Sequence, residues 1–95
     1  MHKAMHYAIF NNAANANTAY KKLHKKLNKK AHVFLCTNTH TVHITRTFKK
    51  HKKAVQFVDN TIMQFWDTVN KHNTDNTYDV EGSSDVVCDE GYSTY

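Results

Sequence analysis

A chain with no proline and only two glycines, Gly82 and Gly91, has few places to turn. Tight turns draw mainly on those two residue types, with Asn, Asp and Ser filling in. Most of the chain must therefore lie in regular helices and strands. At 95 residues the chain makes one domain and little more. A hydrophobic fraction of 40% and a charged fraction of 22% exclude an acidic disordered coil. No apolar run approaches the roughly 20 residues of a membrane helix. The opening MHKAMHYAIF lacks the long apolar stretch and cleavage site of a signal peptide. A cytoplasmic protein with reduced cysteines, Cys36 and Cys88, is the expectation.

Charge divides the chain. Residues 1–72 hold all 13 Lys and Arg and two acids, Asp59 and Asp67, so 13 − 2 = +11. Residues 73–95 hold six acids and no Lys or Arg, giving −6 and a total of +5. We expect a basic α+β domain over 1–72 and an acidic C-terminal segment over 73–95, packed on it. Such asymmetry points toward nucleic acid.

Local periodicity supplies the elements. MHYAIF, residues 5–10, reads as a strand with Tyr7 and Ile9 on one face and His6, Ala8 and Phe10 on the other. Asn12, Asn15 and Asn17 are candidate caps for a helix running to about Lys30. Ala16, Ala19, Tyr20, Leu23 and Leu27 form its apolar stripe. AHVFLCT and TVHITRTF alternate and form a hairpin; pairing Thr37 with Val42 would set Leu35 against Ile44 and Cys36 against His43. Residues 49–72 read as a second helix with Val55, Val58, Ile62, Phe65, Trp66 and Val69 inward and Phe57 outward. Past residue 72 the chain reads as loop, with Val86, Val87 and Cys88 as one short strand. The order βαββα(β) is that of a ferredoxin-like split βαβ unit. It predicts a small antiparallel sheet with two amphipathic helices on one face. Leu23, Leu27, Val33, Leu35, Ile44, Val58, Ile62, Phe65 and Val69 are the expected core.

Two lysine clusters carry the functional reading. Lys21, Lys22, Lys25, Lys26 and Lys29 fall on one side of the first helix, and Lys49, Lys50, Lys52 and Lys53 open the second. With Arg46 they are the candidate nucleic-acid contacts, because each phosphate neutralised releases condensed counterions. One arginine gives little means of reading bases, so RNA or DNA of low sequence specificity is expected. The acidic segment would moderate that binding. The alternative is a protein-binding inhibitor or adaptor of the kind phages and mobile elements carry, acting through Phe34 and Phe57. Phe57 is expected to be covered by Tyr92 and Tyr95 or by another chain. Phe34 stands on the open sheet face, where a base could stack or a second copy could dock.

Catalysis and metal binding have thin support. No catalytic motif is present; His32 and His43 are the pair a ribonuclease would use, and Cys36 beside His43 the pair a thiolate nucleophile would use. Cys36, His40 and His43 give three ligand candidates around one hairpin without the fourth or the paired spacing of a zinc site. No metal and no cofactor are expected.

Overall fold

The computed structural model describes residues 1–73 and 80–88. Six elements follow in order: β1 (His2–Ile9), α1 (Ala13–Leu27), β2 (His32–Cys36), β3 (Thr41–Phe48), α2 (His51–Lys71) and β4 (Glu81–Cys88). The strands make one antiparallel sheet in the order β2-β3-β1-β4. Each βαβ unit is split: β3 lies between β1 and β2, and β1 lies between β3 and β4. Both helices contribute to one core on one face of the sheet, α1 over β2 and β3, α2 chiefly over β1 and β4. None of the described helices is long and apolar enough to cross a membrane.

The local causes are plain in α1 and in the hairpin. Asn12 caps α1, its Oδ1 accepting from the Asn15 amide at 2.8 Å. Ala16, Ala19, Leu23 and Leu27 are buried in series, one per turn. The β2–β3 turn takes four residues, 37–40, and closes on His40 at φ 54°. Pairing therefore starts at Cys36 with Thr41, setting Leu35 against Val42 and Phe34 against His43. This register is two residues from the expected one, so every side chain keeps its face while its partner changes. Cys36 thus does not pair with His43.

Two other expectations need correction. The segment over 81–88, read mostly as loop, is a full eight-residue strand paired along β1. Gly82 makes that possible, because a Cβ there would run into Tyr7 O and meet the Trp66 ring at 3.0 Å. Helix α2 is also turned from its expected phase. It buries Ala54, Phe57, Val58, Thr61, Phe65, Thr68 and Val69, while Val55 and Ile62 are half-exposed and Met63 is 82% exposed. The rotation is about 70° at roughly 100° per residue. Of the nine expected core residues, Leu35 and Ile62 are only half-buried, and the other seven are buried.

The cause of the rotation is His6. It projects from the centre of the sheet between Ala4 and Ala8, with no exposed surface. Its ring stacks on Phe65 at 5.0 Å, and both nitrogens are bonded. Thr61 Oγ1 donates to Phe57 O at 2.7 Å, so it accepts from His6 Nε2–H, also at 2.7 Å. Trp66 Nε1–H donates to Ser84 Oγ at 2.8 Å, leaving the Ser84 hydroxyl to donate to His6 Nδ1. An indole N–H only donates and a carbonyl only accepts, so the chain Trp66–Ser84–His6–Thr61–Phe57 has one direction and one imidazole tautomer. It ties β4, β1 and α2 together through the core.

Two outcomes follow for folding stability. Leu27→Ala should cost about 2–5 kcal/mol in urea unfolding and Ile62→Ala clearly less, because only Leu27 leaves a core cavity. Burial holds His6 down at about 4 against an ordinary 6.5. The unfolded chain then binds the extra proton, so the His6 contribution is complete above pH 6.5 and disappears as pH falls toward 4. Its size is about 3 kcal/mol. Unfolding free energies at pH 7 and pH 4.5 should show that loss, and His6→Gln should remove most of the pH dependence.

Candidate functional site

The strand directions gather one end of the molecule. His2 pairs with Phe48 on one side and with Cys88 on the other, so β1 begins where β3 and β4 finish. Helix α1 also finishes there: Arg46 Nη1 donates to Lys30 O at 3.0 Å. Helix α2 starts there, with the His51 ring 5.3 Å from that of His2. This pole therefore collects Lys3 from β1, Lys25, Lys26, Lys29 and Lys30 from the end of α1, and Lys49, Lys50, Lys52 and Lys53 around the start of α2. All but the half-exposed Lys3 are exposed. Lys21 and Lys22 are exposed on α1 itself, about 9 Å back along the helix from its last residue.

The two helix ends at this pole are treated differently. Cations at the end of α1 complement its dipole. At the start of α2 they oppose it. That helix has Lys50 at its N-cap, no side-chain cap and no acid in its first turn. Four lysines surround a positive helix end whose first amides lack a side-chain acceptor. The four acids among the described residues lie elsewhere, Asp59 and Asp67 beyond the first two turns of α2 and Glu81 and Asp85 on β4. Asp67 pairs with Lys71 at 3.2 Å near the far end of α2.

Arg46 is not a free contact. Its guanidinium rests over the Phe48 ring at 4.8 Å and near Phe57 at 5.8 Å while bonding Lys30 O, so it fastens β3 to the end of α1. Phe57 is also reassigned. It is 8% exposed and packs against Phe48 and the His6 side of the core. Its own chain covers it within the described residues, and it offers no partner surface; Tyr92 and Tyr95 lie outside the described residues. The apolar surface on α2 is instead the flank of Val55, Ile62 and Met63.

Phe34 does stand on the open sheet face. It forms a cross-strand row with His43 and Tyr7, at 4.6 Å and 7° to His43, and His43 lies 6.2 Å from Tyr7. Ring centres one strand spacing apart and nearly parallel belong to rings standing on edge. Their faces are used by one another, which leaves no flat platform for a base. His32 and His43 both pack on the Phe34 ring, at 4.9 Å and 4.6 Å. Burial first, and the Lys3 ammonium second, hold His43 below its ordinary value. Both influences favour the neutral imidazole.

Cys36 and Cys88 are free thiols on opposite edge strands. Hydrogen bonds from the Thr39 side chain, then from backbone amides of Thr39 and Asn38, hold the Cys36 thiol below its ordinary value. Among the described residues no three His, Cys, Asp or Glu side chains gather to hold a metal. A shallow cavity of about 330 Å³ lies at the opposite end, lined by Ala13, Ala16, Leu35, Thr37 and His40.

Sequence reasoning identified the two lysine clusters but not Lys3 as a third contributor. Its signal was the extra turn-free length before Met5, which lets β1 start at His2. No family model, no curated protein and no solved structure matches this chain.

Proposed function

We propose that this protein binds nucleic acid through the lysine pole, with low sequence specificity, and that the acids of residues 73–95 moderate the binding. The observation that carries this reading is the convergence of three element ends on one pole, which turns lysines distant in sequence into one cationic surface. The uncapped start of α2 supports it. Lysines at a helix N-terminus oppose the dipole by about 0.3–1 kcal/mol each, and phosphate oxygens are the ligand that would relieve the opposition. Contacts of this kind grip the backbone and not the bases. Asp89 and Glu90 follow directly on Cys88 in the sequence, and β4 ends at the pole, so the chain that joins these acids to the lysines they would compete for is short.

A protein partner would use a different surface. The flank of Val55, Ile62 and Met63 on α2 is the apolar surface open to it, and contact there would depend little on salt.

Fluorescence anisotropy with a labelled oligonucleotide tests the reading. Affinity should fall steeply between about 50 and 200 mM salt. Replacing Lys25, Lys29, Lys50 and Lys53 by Gln should weaken binding at least tenfold and flatten the salt slope by about 0.9 for each duplex phosphate no longer neutralised. Lys71→Gln, at the other end of α2, should change neither. Replacing Asp75, Asp79, Asp89 and Glu90 by Asn or Gln, which leaves β4 intact, should tighten binding at low salt. If that last variant ignores RNA and DNA at about 50 mM salt, nucleic-acid binding is wrong. Loss of a captured protein on Met63→Lys would then support the α2 flank.

A further inference from the structure

The face of the sheet turned away from the helices is uncovered among the described residues and is neither basic nor uniformly polar. Met5, Tyr7, Ile9, Phe34, His43 and Val87 form its centre, all half-exposed. Lys3 is one cation on it; Glu81 and Asp85 are two exposed anions along β4. That mixture does not attract a polyanion, and the edge-on rings do not receive a base. We infer that this face is the contact between two copies of this chain, packed sheet on sheet about a two-fold axis parallel to the strands.

The placement of the acids selects the axis, and rows whose carboxylate and phenol fall on imidazoles of a second copy select the occupant. The strand registers place outward residues in rows across the sheet. One row is His32, Thr45, Met5, Asp85; the next is Phe34, His43, Tyr7, Ser83; the third is Cys36, Thr41, Ile9, Glu81. A two-fold along the strands lays each row on itself reversed. Asp85 then meets His32 of the partner subunit, Tyr7 meets His43 of the partner subunit, and Glu81 lies over Cys36 of the partner subunit. A two-fold across the strands would lay β4 on β4 and bring Glu81 against Asp85 of the partner subunit, with like charges opposed. Aligned sheets cross at about 30°, so the match is closest at the Tyr7–His43 centre and loosens toward the corners. A face about 26 Å by 19 Å offers on the order of 500 Å² per copy, so the pair reaches the low end of specific interfaces. This is a weak dimer, formed at high micromolar chain.

The axis has a functional result that rests on the nucleic-acid reading. Rotation about the strand direction leaves up and down unchanged, so both lysine poles point the same way. A dimer would present two cationic surfaces to one strand, and the second contact would form at high effective concentration.

Sedimentation equilibrium of the full chain, free of nucleic acid and at about 500 mM salt to silence the lysine pole, separates this inference from the function above. The weight-average mass should rise from 11.0 kDa toward twice that value with concentration. Phe34→Glu should weaken association at least tenfold while leaving the far-UV spectrum and thermal transition in place. If that variant unfolds, Ser83→Lys, a change on the edge strand β4 in the central row, where it would lie over Phe34 of the partner subunit, should give the same weakening. Orientation is read in a Cys88→Ser background, where Glu81→Cys should crosslink through a short bismaleimide to Cys36 of the partner subunit. A chain that stays monomeric to about 500 μM, beyond what so small an interface needs, overturns the inference. So does a dimer indifferent to both substitutions, or one without the 81–36 crosslink. An oligonucleotide that shields Cys36 from alkylation at low protein concentration would give the face to nucleic acid and overturn it too.

Discussion

One buried imidazole governs how this molecule is assembled. β1 is paired along its whole length on both sides, and its inner face is Ala4, His6 and Ala8. Two alanines let α2 approach closely. The histidine between them must then find a donor and an acceptor or carry the desolvation of two polar atoms, about 1–3 kcal/mol each. Thr61 and Ser84 supply them. Thr61 has to face the sheet, which carries Phe57 and Thr68 inward on the same side of α2 and sends Met63 out. Ser84 has to lie beside His6, which holds a polar strand containing glycine and two serines in the sheet. The position of β4, the rotation of α2 and the burial of Phe57 are thus consequences of one residue.

That dependence explains what could be read from the sequence. Element order, fold class and the buried stripe of α1 were legible because each rests on local periodicity. The phase of α2 was not. Its inward face includes two threonines whose hydroxyls are spent on the carbonyls of Phe57 and Gln64. A hydrophobicity pattern counts Thr61 and Thr68 as polar and turns the helix toward Val55 and Ile62. β4 was legible only over 86–88, and its first half was not, for a related reason. Gly82-Ser83-Ser84-Asp85 reads as a turn, and only the Trp66 ring over Gly82 and the His6 nitrogen beside Ser84 make strand the better choice. The hairpin register missed by two because His40 adopts a left-handed conformation that glycine usually takes. The candidate site was half legible. Lysine clusters are visible in the bare sequence, but their convergence depends on which end of each element meets which.

The pole also shows where local preference yields to the whole. Helix α1 is capped by Asn12 and closes with cations at its negative end. Helix α2 opens with cations at its positive end and no cap. Such a start is unfavourable by itself, and the burial of Phe57, Val58, Phe65 and Val69 further along carries the helix. Departures of this kind tend to occur where a protein does something besides fold. Arg46 belongs to the supporting structure of the pole. By holding the end of α1 against β3 it keeps two lysine groups at one spacing.

The bond between His6 and Ser84 spans 78 positions of the chain. During synthesis at about 5–20 residues per second, roughly 4–16 s separate the emergence of its two partners. Throughout that interval β1 can have β3 on one side and nothing on the other. An open central strand is an invitation to any neighbouring nascent chain, and polysomes hold identical chains close together. A β4 from the neighbour would satisfy the vacant imidazole nitrogen as well as the chain's own. The arrangement that makes the finished sheet cohesive therefore leaves the growing one open to strand exchange between sister chains.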